Sequence, residues 1–334
     1  MRLVQLTHPD YGRRVAVVEE PDLRVILTFD SIFSLAKSAI QQQQSLIQLI
    51  GDSLSSQTIR YEQVYIGQSE WQLLPAADHP QDARFCMLSG TGLTHKASAE
   101  NRQKMHDTAS QKELTDSMKM YLSGVEGGQP AAGQVGVQPE WFYKGNGRVL
   151  KAHNETLLVP NYGMDGGEEP ELAAVYINDD QGVPCRIGFA TANEFSDHVM
   201  EKMNYLYLAP SKIRTCSLGP ELVLTADLPQ FSGRVAVLRA GEIRWEKSIH
   251  TGKSHRTHSL ENLEYHHFKY ENHRIPWDMH IHFLGADAFS FGENISLIDG
   301  DEMLVSWEGM GRPLRNLIRY DQSQERPIEV KSLY

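Results

Sequence analysis

The stretch Gly167-Glu168-Glu169-Pro170-Glu171-Leu172-Ala173-Ala174-Val175-Tyr176-Ile177 decides how the rest of this chain is read. Residues 172–177 form an apolar run of strand type, and on a strand residues two apart point to the same face. Glu169 and Glu171 then stand side by side at the strand's entry. Two carboxylates that close repel each other, and one keeps its proton unless a cation sits between them. A hard dication such as Mg²⁺ or Mn²⁺ resolves the conflict, because all-oxygen ligand sets suit it. Alone, a Glu-x-Glu at a strand edge is ordinary solvated charge, so a metal site needs further donors nearby in the chain.

Those donors follow. Gly188-Phe189-Ala190-Thr191-Ala192-Asn193-Glu194-Phe195-Ser196-Asp197-His198 sets a carboxylate in a turn before a helical run. Ala209-Pro210-Ser211-Lys212 supplies a cation, and Leu218-Gly219-Pro220-Glu221-Leu222-Val223 resumes a strand. This order resembles the fumarylacetoacetate hydrolase superfamily, in which a strand-borne Glu-x-Glu precedes an Asn-Asp-x-Ser turn, a Gly-Lys-Ser lysine and a Leu-Gly-Pro strand start. Gly92-Leu93-Thr94-His95 stands where that family has Gly-Leu-Asn-Tyr, and Pro139-Glu140-Trp141-Phe142-Tyr143-Lys144 is similar to its Pro-x-x-Phe-x-Lys. Ile298-Asp299-Gly300-Asp301 and Gly309-Met310-Gly311-Arg312-Pro313-Leu314-Arg315-Asn316 look like its closing Pro-Gly-Asp and Gly-x-Gly-x-Leu-x-Asn. The resemblance runs over about residues 73–320.

It implies a mixed, β-rich α/β fold: a C-terminal β-roll core of the fumarylacetoacetate hydrolase type behind a small N-terminal α+β domain, paired as a homodimer. Carried over residue by residue, it makes Glu169, Glu171 and Glu194 ligands of Mg²⁺ or Mn²⁺, although the family usually has Asp at the third position. It sets Lys212 beside the metal as substrate contact or proton carrier. It gives substrate contacts to Lys144, Arg102, His198 and Ala286.

The departures point to a subfamily. Hydrolytic members carry a water-activating His-x-x-Glu pair after Gly-Leu-Asn-Tyr; here Ser98 falls at the histidine, with Glu100 about one residue out of register. His198 takes an arginine position, and Gly285-Ala286-Asp287-Ala288-Phe289 replaces a Gly-Thr-Pro loop. The segment from Thr94 to Arg102 is similar to the sugar-acid branch, which includes dehydratases of 2-keto-3-deoxy-pentonates. The resemblance thus implies a hydro-lyase acting on a small 2-keto acid, with Lys212 or Glu100 as base, His95 assisting hydroxide departure, and Ser98 in the same segment. The alternatives are a C–C hydrolase of an acylpyruvate or 2,4-diketo sugar acid, and an inactive sugar-acid-binding protein.

Around this core, residues 1–76 read as a small α+β domain and 77–334 as the catalytic domain, with a lid-like polar segment at about 96–138. Alternating apolar residues from Val15 to Leu27 predict strands; helical spacing from Ser31 to Ile50 predicts one helix stopped by Gly51; Val64 to Leu74 predicts another strand. No GxGxxG or GxxxxGK[ST] loop supports nucleotide chemistry.

A net charge of -11 argues against a nucleic-acid partner. No run of 18 apolar residues predicts a membrane span, and the polar start predicts a cytoplasmic protein. The three cysteines, widely spaced, read as reduced. His280-x-His282 on a strand lacks completing zinc donors. Lys253-Ser254-His255-Arg256 reads as a solvated hairpin loop.

Overall fold

The strand expected at the Glu-x-Glu lies at the centre of the larger of two mixed sheets. In the computed structural model, which describes residues 1–106, 114–228 and 230–334, Pro170–Asn178 is buried at every position. A strand covered on both faces needs apolar side chains throughout, which is why its sequence does not alternate. Its pleat divides the interior in two. Ala173, Val175 and Ile177 join one apolar cluster with Leu3, Val15 and Ile32, whereas Leu172, Ala174 and Tyr176 join another with Val235, Val237 and Val305.

On one side this strand pairs antiparallel with Pro184–Asn193, followed outward by Cys216–Val223, Arg2–His8, Gly12–Glu19, Asp22–Ile26 and Leu54–Arg60. On the other side come Met279–Phe283, Cys86–Gly92 and Glu140–Asn146. Met279–Phe283 and Cys86–Gly92 run parallel, so the sheet is mixed. The second sheet has the order Glu242–Thr251, Phe231–Arg239, Glu302–Trp307, Leu314–Tyr320, Leu157–Val159. Residues on both sides of the expected division at 76/77 share the first sheet, with Leu3 opposite Leu222, and share one apolar cluster.

Two expectations for the N-terminal region change. The single helix predicted from Ser31 to Ile50 is two helices, Ile32–Gln42 and Leu46–Ser53, each opened by a serine capping box at Ser31 and Ser45. Gln43 closes the first in the left-handed conformation, φ 54°. Residues 41–44 are exposed, so no apolar contact holds that turn in the helix. The strand predicted over 64–74 shrinks to Gln72–Leu73, because Tyr61–Tyr65 is helical and Gly67, φ +73°, turns the chain.

The predicted lid contributes two helices, Lys96–His106 and Asp116–Gly127; the part of it at 107–113 lies outside the described residues. No helix among the described residues is long and apolar enough to cross a membrane. Cys86, Cys185 and Cys216 are free.

Candidate metal centre

The register of one hairpin brings two distant glutamates together. Pro170 pairs with Asn193 and Glu171 with Ala192, so Glu169 and Glu194 meet at the hairpin's open end. The Glu194 N–H donates to the Glu169 carbonyl at 2.9 Å, and the Asn193 side-chain carbonyl accepts from the Glu169 and Phe195 N–H groups at 3.1 and 3.2 Å. Glu171 follows on the same face. One carboxylate oxygen from each of Glu169, Glu171 and Glu194 lies within 4.8 Å of the other two, and all three residues are buried.

Crowding shapes their charge. Burial, then the neighbouring Glu194 and Glu169, push Glu171 well above the carboxylate range. Burial and Glu169 push Glu194 up to about 7. Glu169 goes the other way: against its burial, the Lys212 ammonium and the His198 ring hold it well below the usual range. Like charges confined in this way are what a bound dication relieves. The donor set is all oxygen, so the residues present fit Mg²⁺ or Mn²⁺.

Two buried lysines flank the carboxylates. Lys212, at the end of the short helix Leu208–Lys212, places Nζ 2.5 Å from Glu169 Oε1, 2.8 Å from Glu194 Oε2 and 3.0 Å from Ser196 Oγ. The Phe142 ring lies 4.9 Å from the same nitrogen. Lys144 Nζ is 2.7 Å from Glu194 Oε1 and donates to the Phe195 carbonyl. His198 Nε2 is 3.0 Å from Glu169 Oε1, with its ring stacked on Phe289 at 4.8 Å. Its Nδ1 is buried without a hydrogen-bond partner.

Gly285 completes the carboxylate cluster through its backbone. Its N–H donates to Glu171 Oε2 at 2.7 Å from a φ of +98°, and a Cβ there would stand 1.8 Å from Thr94 Oγ1. A glycine is required at that point. Ala286, an expected substrate contact, is buried as the next residue.

The remaining expected residues divide. His95 is buried, with Nδ1 2.8 Å from Thr94 Oγ1 and Nε2 3.1 Å from Thr251 Oγ1. Thr94 also donates to the Leu284 carbonyl, so His95 sits one residue behind the loop that holds Glu171. Ser98 is buried, and Arg102 is buried in a network with Glu140 at 2.6 and 2.9 Å and Glu201 at 2.6 Å. Glu100 is not brought in. It lies on the exposed side of the Lys96–His106 helix, 3.5 Å from Lys96 one turn earlier, while Ser98 and Arg102, two residues to either side, face inward. The helical period thus corrects its expected role as base.

Sequence reasoning missed Glu140, Glu201, Ser196 and Glu168. Glu168 is buried beside Ser290, whose backbone N–H and hydroxyl both donate to its carboxylate. Glu140 lay inside the quoted Pro-x-x-Phe-x-Lys segment, but its partner Arg102 is 38 residues away. The histidines that suggested zinc pair with one another and with hydroxyls: His282 with Ser89 and Thr91 at 2.8 Å each, and His267 with His280 at 3.0 Å.

No family model matches the chain, and no curated protein matches it in sequence. Solved structures do match. The apo form of 2-keto-3-deoxy-D-arabinonate dehydratase aligns over 97% of this chain and 100% of that chain, with a TM-score of 0.71 and 18% identity. Its complex with magnesium and 2,5-dioxopentanoate aligns over the same shares with a TM-score of 0.70 and 17% identity. Maleylpyruvate hydrolase from Sphingobium sp. SYK-6 aligns over 96% of this chain and 100% of that chain, with a TM-score of 0.60 and 13% identity. At these identities the likeness is one of fold, and the chain has the fold expected from its resemblance to the fumarylacetoacetate hydrolase superfamily.

Proposed function

We propose that this chain is a Mg²⁺- or Mn²⁺-dependent dehydratase of a 2-keto-3-deoxy sugar acid, a pentonate, with 2,5-dioxopentanoate as product. The observation that carries the reading is the buried Glu169–Glu171–Glu194 cluster with Lys212 against it, on a fold shared with a dehydratase whose structure holds magnesium and that product. Ser98 at the position of the hydrolases' histidine weighs against C–C bond hydrolysis.

In the net reaction C3 loses a proton and the C4 hydroxyl leaves as water, giving a C3=C4 enone; a proton then moves from C5 to C3, and the resulting C4=C5 enol tautomerises to the C5 aldehyde. A dication held by the three glutamates would supply the electrophile that polarises the substrate's 2-keto oxygen and acidifies C3. Lys212 works as a cation. Despite burial, Glu169 and Glu194 raise its pKa far above the ordinary lysine value, and Nζ directs its hydrogens at their carboxylates and at Ser196 Oγ. His95 is neutral, because burial and nearby Arg256 pull it down to about 3. With both ring nitrogens engaged by threonine hydroxyls, it positions Thr94 and the loop behind Glu171. Phe142 and Phe289 wall the lysine and histidine from water.

The test is turnover of racemic 2-keto-3-deoxy-pentonate with separate detection of semialdehyde and pyruvate. Semialdehyde that disappears with EDTA and returns with Mg²⁺ is the expected result. Pyruvate from a matching 2,4-diketo acid, without semialdehyde, would make the chain a hydrolase. Metal and ligand binding without turnover would make it a sugar-acid-binding protein. The resemblance also leads us to propose a cytoplasmic homodimer, which light scattering and cell fractionation test.

A further inference from the structure

A cavity of about 960 Å³ lies between the loop at 129–135, the turn at 253–256 and the start of the Leu260–Phe268 helix. None of Glu169, Glu171, Glu194, Lys144, Lys212 or His198 lines it. Its charged lining is Arg186, Lys253 and Arg256 against Asp227 and Glu261. The sequence reading of 253–256 as a solvated loop holds for Lys253, Ser254 and His255, which are exposed. It fails for Arg256, which is 4% exposed.

Arg256 is unusual among the buried cations of the chain. Lys212, Lys144, Arg102 and Arg214 each have a carboxylate within 2.9 Å. The Nε and Nη1 atoms of Arg256 are buried with no hydrogen-bond partner. Removing a guanidinium from water without pairing it is costly, and burial pulls its pKa down to about 10. Arg186, by contrast, is taken up by Glu264.

The helix start is a second feature of the same wall. Ser259, Leu260, Glu261 and Asn262 line the cavity as the N-cap and first turn of the Leu260–Phe268 helix, where backbone N–H groups and the helix dipole favour negative charge. Glu261 uses part of that field: its own backbone N–H, against modest burial, and then Ser259 hold its carboxyl below the usual range.

We propose that this cavity is a second ligand site, distinct from the glutamate cluster, for a small organic anion whose carboxylate is held by the Arg256 guanidinium with Lys253 at the mouth. A guanidinium matches a carboxylate in charge and in hydrogen bonding, and Arg256 lines the cavity with no carboxylate of the described residues paired to it. The volume is at the upper end of the range for a metabolite-sized ligand. The proposal does not depend on the dehydratase reading, because no residue of the glutamate cluster takes part.

The experiment is calorimetric titration of malonate into the EDTA-treated full chain at low ionic strength. Saturable binding is expected, weakened at least tenfold in Arg256→Gln, severalfold in Lys253→Glu, and unchanged in Glu169→Gln. Circular dichroism establishes that each variant is folded; should Arg256→Gln fail to fold, the exposed Lys253→Glu decides. No binding to the wild-type chain, equal affinity in every folded cavity variant, or loss of binding in Glu169→Gln would each overturn the proposal.

Discussion

Lys212 Nζ stands 2.5 Å from Glu169 Oε1, and both side chains are buried. This contact ties a short helix to the open end of the central hairpin and sets a permanent cation against one edge of the carboxylate cluster. Removing either partner leaves the other's charge buried, so the two substitutions leave behind charges of opposite sign and their consequences differ in kind.

Glu169→Gln keeps the shape of the side chain and removes one charged metal donor. Mn²⁺ affinity, measured by calorimetry, should fall by about two orders of magnitude or more, since even partners behind the ligands are worth 10–100-fold. Turnover should fall with it while the far-ultraviolet spectrum is retained. Undiminished Mn²⁺ binding would remove Glu169 from the ligand set.

Lys212→Met should separate binding from chemistry. Three carboxylates remain, so Mn²⁺ should still bind, whereas turnover should drop by roughly 10²–10³, the range for loss of one positioned hydrogen-bond donor to developing charge. A variant with full turnover would show that the ammonium serves only to balance charge.

Arg102→Met tests the network one layer away. Glu201, buried, and Glu140, partly buried, would be left without their shared cation. Urea denaturation should show a loss of about 3–5 kcal/mol, the scale for breaking a buried ion pair from one side. A loss below about 1 kcal/mol would mean that water reaches the two glutamates.

The pH dependence of stability should carry the signature of buried histidines. Burial is the leading cause that pulls His95, His280 and His282 down to about 3, and His153 and His258 to about 4. The unfolded chain protonates these rings near the ordinary value of about 6.5. It therefore holds more protons than the folded protein from about pH 6.5 down to these values, and stability falls as pH drops through that window. Glu168 and Glu194, raised by burial to about 7, Glu171, raised well above the carboxylate range, and Asp278, raised to about 6, work in the opposite direction below neutrality. The five histidines outnumber these four carboxyls, so the urea midpoint should fall between about pH 7 and pH 5. His282→Gln should flatten that fall; an unchanged slope would show that the ring is solvated.

What was legible in the sequence was whatever local period carries. The unbroken apolar run after Glu171 announced a strand, and two-residue spacing put Glu169 and Glu171 on one side of it. Motif order added Glu194 and Lys212 through the family resemblance, and the structure gathers all four side chains. Helical spacing in the N-terminal region was also real, but it could not show that exposed Gln43 would end one helix and Ser45 begin another.

Tertiary structure alone decided the rest, because contacts between residues far apart leave no periodic trace. Glu100 had the right residue type in nearly the right place, and the phase of its helix turned it to solvent. Arg102 acquired Glu140 across 38 residues, and Lys212 met Glu169 across 43. Arg256, in a segment of ordinary polar composition, was drawn inside and left with unsatisfied donors. The sequence by itself determined the strand and its carboxylate face, since both follow from the stereochemistry of one pleated segment. Which charges are paired, which are exposed and which are left waiting for a partner depended on how the two sheets and their helices close around it.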